Sequence, residues 1–326
     1  MMELVCPAGT PAALRAAVEA GAHAVYCGFS DETNARNFPG LNFSTEELTA
    51  AVAGAHKRGA KVLVALNTFP RAGAEKLWHQ RLADAESAGV DAVILADIGL
   101  LDYAATHHPK LRRHLSVQAA ASNPDAINFY AETFDVKRVV LPRVLTVQEI
   151  AAINKEINVE TEAFVFGGLC VMAEGRCALS SYATGLSPNM NGVCSPASHV
   201  VYAEEGPDLA AKLGGFTIHR TPKEQPAPYP TLCKGCFTSG EQTGHVFEDP
   251  VSLDARHLIP ALAKAGVTAL KIEGRQRSRA YVAEVVRAFR AATDALAEGR
   301  DLPLAELARL TEGQQATAGA YAKTWR

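Results

Sequence analysis

Two hydrophobic patterns alternate along the chain. Short runs such as Val62-Leu63-Val64-Ala65-Leu66 are apolar at every position, and longer stretches between them repeat apolar residues every three or four positions. The first pattern suits strands buried on both faces of a parallel sheet, and the second suits helices that cover such a sheet. Eight runs of the first kind stand out: Glu3–Cys6, Ala24–Gly28, Lys61–Asn67, Ala92–Asp97, His114–Ala119, Arg138–Pro142, Thr161–Phe166 and Thr268–Glu273. Helical patterns occupy Thr10–Ala20, Ser44–Arg58, Ala74–Ala88, Leu100–His107, Pro124–Thr133, Thr146–Glu156, Ser252–Ala265 and Ala280–Glu298. Ser44-x-x-Glu47 and Thr146-x-x-Glu149 have capping-box spacing at two helix starts. One junction recurs. Glu19–Gly28, Ser87–Ala96 and Lys264–Glu273 each pass through Ala-Gly into a β-rich run, and Arg58–Asn67 is a looser copy. In each, glycine ends a helix and a strand follows at once. Eight alternations of strand and helix predict an α/β fold, a (β/α)8 TIM-type barrel.

The connection after the seventh strand breaks this rhythm. Residues 167–250 carry five of the seven cysteines and many of the prolines. Without these roughly 80 residues the chain approaches the length of about 250 typical of such barrels. The chain therefore divides into residues 1–166 (the first seven strands), a cysteine-rich insertion at 167–250, residues 251–300 (the last strand and helices) and a polar tail at 301–326. A loop that follows a barrel strand emerges at the C-terminal face, where active sites of this fold lie.

With 326 residues, 48% of them hydrophobic, the chain is long enough for a large core, and its net charge of −3 gives no sign of nucleic-acid affinity. The first residues show no basic stretch leading into an apolar signal core, and no run reaches transmembrane length. A soluble cytoplasmic protein is expected. In that compartment clustered cysteines favour metal or redox use over disulfides.

Strand position converts into a list of candidate residues. Asn67, Asp97, Gln118, Arg143 and Glu273, with Arg275 just beyond, fall at strand C-termini, and Asn34, Arg36 and Asn37 occupy the loop after the second strand. Glu273, Arg275, Arg143 and Asn37 are the candidate catalytic residues. The two arginines suit a carboxylate ligand, and Glu273 suits acid/base work or the orientation of Arg275. Asp97 also suits a helix cap. There is no Gly-x-Ser-x-Gly elbow, Walker loop or His-Glu-x-x-His. Cys170, Cys177, Cys194, Cys233 and Cys236 contain a single close pair, Cys233-x2-Cys236. A zinc ribbon normally shows two close pairs, so the wide spacing favours a four-iron cluster over zinc and leaves zinc open.

The blocks Gly168–Cys177, Ala178–Tyr182, Gly192–Pro196, Tyr229–Gly235 and Lys271–Arg275, with Leu4–Gly9 and Asn34–Phe38, resemble the collagenase-like peptidase family across nearly the whole chain. Within it they are most similar to the branch that serves ubiquinone biosynthesis. The resemblance implies a 4Fe-4S cluster on Cys170, Cys177, Cys194 and Cys233. It also implies a heterodimer with a homologous, UbiV-like subunit and no true peptidase activity. The implied reaction is dioxygen-independent hydroxylation of the aromatic ring of a polyprenyl-phenol, with prephenate as oxygen donor; the alternatives are a scaffold or binding subunit with a structural cluster, and an RNA-base hydroxylase like other branches of the family. The family pattern places Arg after Cys-Lys-Gly where this chain has Cys236, which makes Cys236 a substitute candidate for the fourth ligand.

Overall fold

The structure, a computed structural model, describes residues 2–191, 194–303 and 306–322. Gly192 and Val193, which begin the third cysteine block, lie outside the described residues, as do residues 304–305 and the end of the tail. Eight strands form the barrel: β1 Glu3–Pro7, β2 Ala24–Cys27, β3 Lys61–Leu66, β4 Ala92–Leu95, β5 Arg113–Leu115, β6 Val136–Val140, β7 Glu160–Gly168 and β8 Ala269–Ile272. Each pairs in parallel with its neighbour in sequence. The cylinder closes where β8 pairs with both β1, Glu3 opposite Ala269, and β7, Ala269 opposite Glu162. Helices α1 Pro11–Glu19, α2 Thr45–His56, α3 Glu75–Ser87, α4 Ile98–His107, α5 Pro124–Phe134, α6 Val147–Asn154, α7 Ile259–Lys264 and α8 Arg279–Ala297 alternate with them. The (β/α)8 expectation holds. Both capping boxes form, on Ser44 with Glu47 and on Thr146 with Glu149. Asp97 caps α4, its Oδ1 accepting from Leu100 N at 2.8 Å.

Alternation along each strand sorts the core into two shells. One set, including Cys6, Cys27, Val64 and Leu95, packs with the apolar faces of the helices. The other, Val5, Ala24, Tyr26, Leu63, Ala65, Ala92, Ile94 and Ala269, forms a separate inner cluster. Its four alanines leave space for charged side chains within the barrel. Arg138 reaches Glu3 at 2.6 Å, Glu160 at 2.7 Å and Glu162 at 3.2 Å, and the Lys271 ammonium pairs with the other oxygen of Glu162. These groups are carried by β1, β6, β7 and β8, so the ionic chain ties strands far apart in sequence.

Two boundaries differ from the sequence reading. The run His114–Ala119 is strand only to Leu115. Ser116 then caps a short turn over Val117–Ala119, and Ala120 takes a left-handed backbone (φ 53°). The stretch Ser252–Ala265 is not one helix. Because β7 runs on to Gly168, it offers an edge that Ser252–Asp254 takes antiparallel, and α7 begins only where Pro260 presets the first turn.

The insertion folds between Gly168 and Ser252. It contains two short helices, Leu179–Thr184 and Pro188–Asn191, and an antiparallel sheet of Val200–Glu205, Asp208–Leu213 and Phe216–Pro222. A hairpin of Cys236–Ser239 and Gln242–His245 follows. The tail secures it: Ala316–Thr317 pairs with Ser252–Leu253, and Glu312 meets the Lys234 ammonium at 2.6 Å. Among the described residues no helix is long and apolar enough to cross a membrane.

Candidate functional site

At the C-terminal ends of the strands the barrel opens into a cavity of about 140 Å³. Tyr26, Ile94, Phe164 and Lys271 form its barrel wall, and Cys170, Cys177, Cys194 and Cys233 face it from the insertion. Four thiols spread over 64 residues of sequence thus converge on one space at the barrel mouth. Cys236 is not among the residues that line it. Burial, then the neighbouring Glu174, pushes the Cys170 thiol up to about 12; burial, then Cys194, does the same to Cys233. Cys194 and Cys233 add to the rise at Cys170, and Cys177 to that at Cys233; a bound cationic centre is what would hold these two as thiolates.

The donor set fits a four-iron cluster by its chemistry, four thiols around one partly closed space. Among the described residues no three His, Cys, Asp or Glu side chains are gathered tightly enough for a single metal ion. Mononuclear zinc requires all its sulfurs at about 2.3 Å from one point.

The charged residues of the mouth play unequal parts. Arg143 is buried and committed. Its Nε donates to Glu174 Oε1 at 2.6 Å, its Nη1 donates to the Gly168 carbonyl, and its guanidinium lies 4.2 Å over the Phe164 ring. Burial alone would lower its pKa; Glu174 and Cys170 outweigh that and raise it. Its place in the fold is to pin the first cysteine loop to the barrel. Arg275 is as deeply buried, at 7% exposure, yet among the described residues it has no carboxylate within ion-pair distance. Its Nη1 donates to Asn34 Oδ1 at 2.7 Å and its guanidinium lies 5.3 Å from the Tyr26 ring centre. Burial pushes it down to about 10, so it remains a cation at neutral pH. Gly9 makes this position possible, since a Cβ there would stand 1.9 Å from the Arg275 carbonyl oxygen.

Glu273 accepts from Gly168 N at 3.1 Å and lines the cavity with Arg36. Burial would raise its pKa, but Arg36, Arg143 and the Gly168 amide hold it below the usual carboxylate value. It forms no ion pair with Arg275 among the described residues, so its expected role of orienting that residue is not what the geometry shows. Asn37 is exposed on its loop and does not line the cavity. Asn34, on the same loop, does not line it either but holds Arg275, which does. It is buried, with its amide nitrogen donating to Phe29 O and Asn42 Oδ1 and its oxygen accepting from Arg36 N and Arg275. Gln118 lines the cavity, its Oε1 buried and without a partner among the described residues. Asn67 also lines it, its Oδ1 accepting from Ala35 N at 3.1 Å. Sequence reasoning missed Glu174 altogether; its one signal was its position three residues before Cys177.

Comparison with known proteins gives the family. Residues 9–323 match the profile of peptidase family U32. The chain is 34% identical over 323 residues to tRNA hydroxylation protein P of Escherichia coli, covering 91% of this chain and 69% of that one. It is 32% identical over 299 residues to tRNA hydroxylation protein P1 of Bacillus subtilis, covering 90% of this chain and 63% of that one. It thus spans about two thirds of the length of these relatives. Its fold matches the solved structure of the U32 peptidase Mk0906 with a TM-score of 0.50 at 16% identity, over 85% of this chain and 95% of that one. The chain belongs to peptidase family U32. The relatives named here are RNA-modification proteins and do not single out the ubiquinone branch that the motifs resemble.

Proposed function

We propose that this chain is the iron–sulfur subunit of a dioxygen-independent hydroxylase that acts on an aromatic ring. The observation that carries the reading is the convergence of Cys170, Cys177, Cys194 and Cys233 on the cavity at the barrel mouth. These four residues would hold a 4Fe-4S cluster, which when bound supplies one-electron transfer at the cavity wall. The chain's own residues provide the rest. Tyr26 and Phe164 offer aromatic faces to a ring. The unpartnered Gln118 Oε1 suits a donor such as a phenol hydroxyl. The Arg275 guanidinium, fixed by Asn34, suits the carboxylate of an oxygen donor such as prephenate. Glu273, held ionised, is an acceptor that can take a proton at its Oε1, its Oε2 being engaged by Gly168 N.

In the finer reading the ring belongs to a ubiquinone precursor and the partner is a homologous UbiV-like subunit, which makes the chain similar in role to the ubiquinone biosynthesis protein UbiU. This rests on the cysteine blocks and on the net charge of −3. A second reading, hydroxylation of an RNA base, is favoured by the names of the tRNA hydroxylation relatives. A peptidase is not favoured: among the described residues no histidine lines the cavity to activate a cysteine.

The first test is purification without oxygen, followed by visible absorption and iron and sulfide analysis. A brown protein with about four of each, lost on changing Cys170, Cys177, Cys194 or Cys233 to Ser and kept in Cys236→Ser, is the expected result. A colourless protein holding one zinc would overturn it. Quinone profiles and tRNA nucleoside profiles from cells lacking the protein then separate the two substrates.

Arg275→Leu is expected to weaken prephenate binding about tenfold to hundredfold with iron content unchanged, the loss of a charge-assisted hydrogen bond costing about 1.5–3 kcal/mol. Unchanged affinity by titration calorimetry would remove Arg275 from the donor site. Arg143→Leu is no equivalent test, because it leaves Glu174 buried and unpaired.

A further inference from the structure

Three cysteines stand outside the four that face the cavity. Cys6 and Cys27 are completely buried in the barrel core, whereas Cys236 is half-buried. Cys236 follows the short turn Leu232–Lys234, which carries Cys233, and opens the hairpin strand Cys236–Ser239. The backbone between the two is held from both sides. The Lys234 ammonium donates to Val251 O at 2.8 Å and meets Glu312 at 2.6 Å. His245, the register partner of Cys236 across the hairpin, donates from Nδ1 to the Lys234 carbonyl at 3.0 Å. Cys233 therefore faces the cavity while a second, half-buried thiol stands three residues away across the turn. A two-residue spacing across a turn is a spacing that disulfides close.

We propose that Cys236 is a redox-modification site whose partner is Cys233, a dithiol that closes when Cys233 is not held by a metal centre. With a peroxide as oxidant the steps balance. The Cys236 thiolate attacks one peroxide oxygen, giving a sulfenic acid and releasing hydroxide, which takes up a proton to become water. The Cys233 sulfur then attacks the sulfenic sulfur, forming the S–S bond and releasing a second water. Two thiols are oxidised by two electrons and the peroxide is reduced to two waters. A dithiol reductant reverses the step by exchange. The closed bridge takes away the fourth cavity thiol, so the cavity refuses a new cluster until it is reduced. It also shields Cys233 from irreversible oxidation to sulfinic acid.

That consequence rests on the proposed cluster; the disulfide itself does not, and the test separates them. The full-length apo chain is treated with one equivalent of hydrogen peroxide, alkylated, digested with trypsin and mapped by mass spectrometry without reduction. Trypsin cleaves after Lys234, so the bridge joins two separate peptides, residues 224–234 and 235–256. The expected result is that this linked pair dominates and disappears with dithiothreitol. In parallel, the oxidised chain should take up less than a tenth of the iron taken up by the untreated chain on reconstitution with iron and sulfide, and recover it after dithiothreitol. Cys236→Ser should bind the wild-type amount when untreated and lose the dithiothreitol-reversible block after peroxide. Disulfides among Cys170, Cys177 and Cys194 in place of the linked pair, or no linked pair, would overturn the proposal. Failure of the untreated chain to take up iron would overturn the cluster reading and leave the disulfide map to stand alone.

Discussion

Glu162→Leu is expected to destabilise the barrel by about 3–5 kcal/mol, the usual consequence of removing one partner from a buried ionic cluster. Glu162 is fully buried on β7, between the Lys271 ammonium and Arg138 Nη1 at 3.2 Å. Lys271 and Arg138 are themselves buried, so neither can turn to water when the carboxylate is lost. Burial already lowers the pKa of Lys271, and Glu162 is the chief group opposing that shift. Without Glu162, the pKa of Lys271 is expected to fall further, so that loss of its proton relieves part of the cost as pH rises. A urea denaturation midpoint well below wild type, with the deficit smaller at pH 9 than at pH 6, is the result to look for. The sign follows from linkage: where the native Lys271 binds fewer protons than the unfolded chain, stability rises with pH. A midpoint unchanged within error would mean that the ionic chain is not what joins β1, β6, β7 and β8.

Gly175→Ala is expected to abolish iron binding while leaving the barrel folded. Gly175 has φ of +80°, and a Cβ there would stand 1.9 Å from the Gln118 carbonyl oxygen, a backbone atom with no freedom to move aside. The residue lies between Glu174, which pins Arg143, and Cys177. Relief of the clash must lift this loop from the mouth, taking Cys170 and Cys177 away from Cys194 and Cys233. Gly73→Ala is the control. It has a similar φ of +86° but no neighbour within 4 Å of its Cβ, so it carries only the backbone cost of about 1 kcal/mol. Iron content and far-ultraviolet circular dichroism distinguish the outcomes. Full iron binding by Gly175→Ala would show that the cysteine loop need not rest on the barrel.

Both predictions concern contacts that local sequence does not display. The separation between Arg143 and Glu174 is 31 residues, and between Asn34 and Arg275 it is 241. Asn34 and Asn37 read alike in one short loop, since each is a polar amide after a strand. Only the folded loop buries the first against Asn42 and Arg275 and turns the second to solvent. Arg143 and Arg275 likewise read as an equal pair. Glu174 pairs with Arg143, and no described carboxylate pairs with Arg275.

What the sequence determined by itself was the alternation of strand and helix, both capping boxes, and the cysteine blocks with their spacing. These are legible because they are periodic or local. Apolar runs sort by face over a few residues, and a cap needs only a side chain and an amide three positions on. The closure of β8 on β7 and β1, the ionic chain inside the barrel and the sharing of roles among the mouth residues were decided only by the tertiary structure. Which charge is paired and which is left facing the cavity depends on groups brought together across the barrel, at distances that no window along the chain contains. The same holds for Cys233 and Cys236: their spacing is written in the chain, but only the fold places Cys233 at the cavity and leaves Cys236 out of its lining.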